Sequence, residues 1–309
     1  LAEDTTKSEL TELARRLADC RAALATFLDQ RDDGLVYWVE KNERESLSLN
    51  AAPVNVAELL RPVFFDRDRP CVFTSATLGV GDSNLSYFRG RVGAEGVEAI
   101  RIGSPFDYEK QMTIHLVRKM PEPSESGYEE ALGNWIRHFV RKSGGRAFVL
   151  FTSYKLLQRM VAELGDFFRT EKIQLLAQGT GNSRNQLIET FKEDETSVLF
   201  GTDSFWTGVD VPGRALTNVI ITRLPFSVPD HPLTQAKIEF IEERGGNAFM
   251  DYSVPEAILK LRQGVGRLIR NGDDKGMVVI LDNRVLSKRY GKIFLDAMPE
   301  APIEIADEL

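Results

Sequence analysis

Ala147-Phe148-Val149-Leu150-Phe151-Thr152-Ser153-Tyr154 is an unbroken apolar run that passes directly into hydroxyl residues and an aromatic. A run of this kind marks a strand buried on both faces, as in a parallel sheet whose crossovers cover it. The neighbouring sequence repeats the pattern. A helix is expected over about 128–141, the quoted strand over 147–151, and then a helix over about 153–169. Further alternation follows: strand about 173–176, helix about 183–193, and strands 198–200 and 218–222. Helices near 232–243 and 254–270, a strand at 276–281 and a last helix near 286–297 complete it. Strands alternating with helices of this length specify an α/β fold with a parallel sheet, helices on both faces and right-handed crossovers. In such sheets the chemistry gathers just past the strand C-termini.

Towards the N-terminus the pattern changes. Leu10, Leu13, Leu17, Leu24 and Leu28 predict a long amphipathic helix over about 5–31, ended by Asp32-Asp33-Gly34. Short strands are expected at Leu35–Val39 and Leu47–Asn50, with Asn55 capping a helix through Leu60. Cys71-Val72-Phe73-Thr74 reads as a brief buried strand. Between about 79 and 125 Gly and Pro are scattered, and Met112–Val117 is the one strand candidate. The chain enters a helical pattern directly at Leu1, which leads us to expect a piece of a longer protein.

Composition narrows the function. The 309 residues, 42% apolar, suffice for a large domain with a smaller appendage. No run reaches the roughly 18 to 20 apolar residues of a membrane span, and a cytoplasmic protein with no membrane partner is expected. Cys20 and Cys71 are the only cysteines, too few for a four-ligand zinc or iron–sulfur site, so no metal is expected. A net charge of −7 excludes a general polyelectrolyte binder. One local basic stretch stands out: Lys260 to Lys292 holds nine Lys or Arg against three Asp.

That stretch contains Gln263-Gly264-Val265-Gly266-Arg267-Leu268-Ile269-Arg270. On a helix, Arg267 and Arg270 would share one face, where two guanidiniums can clamp the charge of a transferring phosphoryl group. Gly264 and Gly266 cost that helix roughly 1 kcal/mol each relative to Ala, so something must approach the backbone closely. The competing reading is a solvated basic face with glycines at a packing contact. Phe200 to Gly213 carries a strand into a loop rich in glycine, hydroxyl and carboxylate groups. Gly201 and Gly208 there let N–H groups face a phosphate, and Asp210 can orient an arginine or a water. Phe205 and Trp206 suit either stacking or burial.

Four motifs occur in order. Thr74-Ser75-Ala76-Thr77-Leu78 matches helicase motif III, Phe151-Thr152-Ser153-Tyr154 motif IV, Gly201–Gly213 motif V and Gln263–Arg270 motif VI. The wording Phe205-Trp206-Thr207-Gly208-Val209-Asp210-Val211-Pro212-Gly213 adds to this. So does Arg223-Leu224-Pro225-Phe226 followed by Pro229 and His231-Pro232-Leu233. Over roughly residues 70 to 290 the chain resembles the C-terminal half of a superfamily 2 DNA helicase of the XPD/DinG group.

The resemblance implies that residues 79–309 form a second RecA-like domain and 34–78 the last strands of the first. Residues 1–33 would be the end of an arch-like helical insertion. It implies arginine fingers at Arg267 and Arg270, with nucleotide contacts at Gln263, Gly266, Gly208 and Asp210. Interdomain coupling falls to Thr74, Ser75 and Thr77, and single-stranded DNA to Thr152, Ser153, Tyr154, Lys155, Thr202 and Trp206. ATP and Mg²⁺ would be shared with an N-terminal RecA-like partner domain. The group's iron–sulfur cysteines lie upstream, which leaves Cys20 no cluster role. Neither G-x-x-x-x-G-K-[ST] nor an Asp-Glu-Ala-His box occurs. The expectation is the motor half of a 5′-to-3′ ATP-dependent DNA helicase that is inactive alone. The alternative is a non-catalytic RecA-like module binding nucleic acid or a partner. A nuclease activity, which some DinG-like proteins carry, finds no acidic metal cluster here.

Overall fold

The computed structural model describes residues 2–41, 45–67, 69–206, 208, 211 and 213–309. By contacts the chain forms two compact units. The first comprises Leu1–Val72, Arg89–Gly96 and Val228–Tyr252. It holds the helix Ala2–Asp29 and an antiparallel hairpin of β1 (Leu35–Lys41) and β2 (Leu47–Pro53), in which Leu35 pairs with Pro53 and Lys41 with Leu47. Asn55 caps the helix Val56–Leu60 by accepting the Ala57 N–H at 3.2 Å. The helix Pro232–Glu242 also belongs to this unit, where the Trp38 ring meets His231 edge-on at 5.4 Å.

The second unit comprises Phe73–Phe88, Val97–Ser227 and Ser253–Leu309. Its centre is a seven-stranded sheet, every pairing parallel, in the order β5-β6-β4-β7-β8-β3-β9. The strands are β3 (Met112–Val117), β4 (Ala147–Leu150), β5 (Leu175–Ala177), β6 (Val198–Gly201), β7 (Asn218–Ile221), β8 (Gly276–Ile280) and β9 (Ile303–Ala306). Side chains alternate between faces along a strand, and the core divides accordingly. Phe148, Leu150, Leu199, Val219, Ile221, Val278 and Ile280 face one layer, packed by the helices Arg184–Glu193 and Val254–Val265. Val149, Phe151, Phe200, Ile220 and Val279 face the other, packed by Tyr128–Ser143 and Tyr154–Glu171. This is the two-faced parallel sheet that the alternating pattern predicts.

Four readings of the sequence are corrected. Cys71–Thr74 is not a strand and is exposed, Val72 to 86%. No strand pairs with it among the described residues, and a lone strand leaves its backbone groups unmatched. The helix expected to run to residue 270 ends at Val265. The last helix is two short ones, Arg284–Ser287 and Gly291–Asp296. Finally, β9 was not foreseen: it is an edge strand of four residues whose Ile303 and Ile305 remain about half exposed. Among the described residues no helix is long and apolar enough to cross a membrane.

Candidate functional site

The candidate residues of the second unit fall at opposite edges of the sheet. At the C-terminal edge the loops after β4, β5 and β6, neighbours in the sheet, converge. Ser153 caps the helix Tyr154–Glu171, accepting the Leu156 N–H at 3.4 Å. Thr152 and Ser153 are half-buried, whereas Tyr154 and Lys155 are exposed. Thr202 donates both its N–H and its hydroxyl to Gln178 Oε1, at 2.9 and 2.8 Å. Gln178, whose own carbonyl accepts from Gln158 Nε2 at 3.1 Å, is a residue that sequence reasoning missed. It follows a three-residue strand, and nothing local marks it.

The basic stretch is partly neutralised at this edge. Fully buried Asp282 accepts from Arg284 Nε at 2.9 Å and Nη2 at 2.6 Å, and also from the Leu224 N–H at 2.8 Å. That hydrogen-bonded carboxylate holds Arg284 above the usual guanidinium value. Lys288 pairs with Glu122 at 2.7 Å.

From the C-terminal edge the motif V stretch crosses one face of the sheet. Phe205 and Trp206 are fully buried, and Trp206 Nε1–H donates to the Phe151 carbonyl at 3.1 Å. The Trp206 indole is thus enclosed by the core, as the burial alternative expects. A Cβ on Gly201 would lie 2.5 Å from the Phe205 ring, so this glycine admits an aromatic and not a phosphate. Gly264 has the same office: a Cβ there would stand 3.1 Å from Trp206 and from Leu150. Gly208 is exposed, its carbonyl accepting from Arg184 Nη2 at 2.8 Å. Asp210 lies outside the described residues. At its far end the stretch reaches Gly213, where a Cβ would fall 1.8 Å from Asp274 Oδ1.

Asp274 belongs to the opposite, N-terminal edge, just ahead of β8. The helix Val254–Val265 closes at Gly266, whose N–H reaches the Arg262 carbonyl at 2.8 Å. Arg267 and Arg270 lie beyond that end and do not share a helix face. Arg267 is 4% exposed, while Gly266 and Arg270 are exposed and Gln263 is half-buried. This loop leads into a strand instead of out of one, so it lies away from the strand C-termini, where the sequence pattern leads one to expect the chemistry.

Backbone groups around Arg270 are tied by side chains. Asp274 Oδ2 accepts the N–H of Arg270 at 2.7 Å and of Asn271 at 3.0 Å. Gln111, directly before β3, donates from Nε2 to the carbonyls of Asn271, Gly272 and Asp274 at 2.9, 3.2 and 3.1 Å. Sequence reasoning missed both residues.

The motif III residues Thr74 and Ser75 are exposed and Thr77 is half-buried, its N–H on Ser75 Oγ at 3.2 Å. Arg262 holds this segment from the helix that precedes the arginines, donating to the carbonyls of Gly79 and, at 3.5 Å, Ala76. Burial lowers Arg262 below the usual guanidinium value, with Arg101 adding repulsion.

A family described as "Helicase C-terminal domain" matches residues 136–301, more than half of the chain. Over 293 residues the chain is 39% identical to "3'-5' exonuclease DinG" of Bacillus subtilis (strain 168), covering 92% of this chain and 31% of that protein. It is 38% identical over 283 residues to "ATP-dependent DNA helicase YoaA" of Escherichia coli (strain K12), covering 91% and 43%. With "ATP-dependent helicase DinG" of Mycobacterium tuberculosis (strain ATCC 25618 / H37Rv) it shares 36% over 301 residues, covering 94% and 44%. The chain spans less than half the length of these curated relatives. With its two-faced parallel sheet and ordered motifs, the chain belongs to the helicase C-terminal domain family, in the XPD/DinG group of superfamily 2 helicases.

Proposed function

We propose that this chain is the arginine-bearing half of the motor of an ATP-dependent DNA helicase of 5′-to-3′ polarity, inactive by itself. Residues 79–309 act as its second RecA-like domain, 34–78 as the end of the first, and 1–33 as part of an arch-like insertion. The observation that carries this reading is the arginine loop: buried Arg267 and exposed Arg270 past the end of one helix, with the Arg270 N–H on Asp274 and the carbonyls that follow it on Gln111. Two arginines in one such loop suit a nucleotide whose phosphates are held by another domain, since the sequence has no phosphate loop of its own.

ATP, with Mg²⁺ held by that other domain, supplies the phosphoryl-transfer chemistry. Arg267 and Arg270 stabilise the charge that builds up on transfer, and they reach it on closure of the two domains. Gln263, Gly266, Gly208 and Asp210 supply hydrogen bonds beside them. Thr74, Ser75 and Thr77, in the segment that Arg262 ties to the helix Val254–Val265 through Ala76 and Gly79, pass the closure on. Single-stranded DNA lies along the C-terminal edge, its phosphates on Thr152, Ser153, Tyr154 and Lys155, and on Thr202 once its hydroxyl exchanges Gln178 for a phosphate. Its bases are not stacked on Trp206.

The test is Arg267→Ala and, separately, Arg270→Ala in the intact helicase. DNA-stimulated ATP turnover should fall by about a thousandfold or more, with ATP binding largely retained. Unimpaired turnover in both would sink the finger assignment.

A further inference from the structure

Starting from the last residue of motif VI, the loop 270–274 reads Arg-Asn-Gly-Asp-Asp, a composition that by itself favours many conformations. The structure fixes it from two directions. Its amides are taken by side-chain oxygens: the carboxylate Oδ2 of Asp274 holds the N–H of Arg270 and Asn271, and the carboxamide Oδ1 of Asn271 holds the N–H of Asp273 and Asp274 at 3.0 and 3.1 Å. Its carbonyls are taken by one carboxamide, that of Gln111, whose Oε1 is in turn occupied by the Asp107 N–H at 2.9 Å. Gln111 is 6% and Asp274 8% exposed, so water does not substitute for either. The other oxygen of Asp274 fills the volume that a side chain at position 213 would need.

We propose that Gln111 and Asp274 are positioning residues that aim Arg270, and that position 213 is glycine so that the Asp274 carboxylate can reach the loop. The end of motif V and the arginine loop then move as one body, and the path from DNA edge to nucleotide edge has a mechanical last link. Neither residue touches nucleotide. Their effect is on where the Arg270 guanidinium stands, and a displacement of about 1 Å at such a group can cost about a hundredfold in rate. This inference rests on the arginine role proposed above.

The experiment is a double-variant cycle in the intact helicase with Gln111→Leu, Arg270→Ala and the pair, read as kcat and KM for ATP at saturating single-stranded DNA. Gln111→Leu should lower kcat about ten- to a hundredfold with KM and DNA affinity within about twofold, and should add nothing to Arg270→Ala. Gly213→Ala, which displaces Asp274 without touching Gln111, should show the same split. Amide hydrogen exchange adds a readout that does not depend on catalysis. Gln111→Leu should speed exchange at 270–274 and leave β4 unchanged, whereas a merely structural role would speed both. The inference is overturned if Gln111→Leu and Gly213→Ala keep kcat within twofold while Arg270→Ala loses it, if the losses simply add, or if loop exchange is unaltered. Loss in neither Arg270→Ala nor Arg267→Ala would instead fail the arginine role, and the exchange data would still decide whether Gln111 fixes the loop.

Discussion

The two edges of the seven-stranded sheet are built on different rules. At the C-terminal edge, loops leave short parallel strands and enter helices, and their polar groups are satisfied locally: Ser153 caps its own helix, and Thr202 is bound by Gln178 from the next strand. At the N-terminal edge the amides of the arginine loop are held within the loop by Asn271 and Asp274, but its carbonyls depend on one partner distant in sequence, Gln111 being 160 residues from Asn271. An edge with local satisfaction can present several modest contacts to an extended polymer, and losing one leaves the rest in place. An edge whose single loop is fixed both from within and by one distant residue presents one group with little freedom. Motif V joins the two, beginning at Thr202 on one edge and ending at Gly213 on the other.

Breaking the connection between the edges should have the largest effect on stability. Trp206 is fully buried between Gly264, Leu150 and the Phe151 carbonyl. Trp206→Ala should destabilise the domain by about 3 to 5 kcal/mol, measured from denaturant midpoints; a change below about 1 kcal/mol with a large loss of DNA affinity would restore the stacking role. A smaller effect should confirm that the C-terminal edge grips by addition. Lys155→Ala in the intact helicase should weaken single-stranded DNA binding modestly and reduce the salt slope by about one unit, with kcat at saturating DNA unchanged. A fall in kcat would mean that the edges are not functionally distinct.

The smallest effect lies away from both sites. His115 is 5% exposed, with Nδ1 3.2 Å from Glu304 and Nε2 3.4 Å from Lys142. Burial, then Lys142, lowers its pKa below 6.5, against the pull of Glu304. The unfolded chain therefore binds a proton more readily than the folded one. Stability should be lost as pH falls through 6.5 towards the lower folded value. His115→Gln should flatten that part of the curve of unfolding free energy against pH, and an unchanged slope would remove His115 as its source.

The sheet was legible because β4, β6, β7 and β8 are unbroken apolar runs of the period and length that a buried parallel strand requires. The motif residues were legible as a set. What they do locally was not, because glycines give the same signal whether they admit a ligand or a ring. Gly201 and Gly264 admit Phe205 and Trp206. The helix stop at Val265 was hidden by a sequence of good helix formers after Gly266. Gln111 and Gln178 were invisible because their partners, at 271–274 and at Thr202, are brought close only by the sheet order, and Asp274 because its bonds to the Arg270 and Asn271 N–H form within a turn where it is one polar residue among several. Cys71–Thr74 misled in the other direction, since an apolar run becomes a strand only where a neighbour pairs with it.

The central claim, that this chain holds the arginine half of a motor and not the half that binds nucleotide first, is tested most directly by measuring Mg²⁺-dependent ATP hydrolysis by the isolated chain with saturating single-stranded DNA. The account predicts no turnover above that of the Arg267→Ala/Arg270→Ala chain. Hydrolysis that is present in the unaltered chain and absent from that double variant would contradict it.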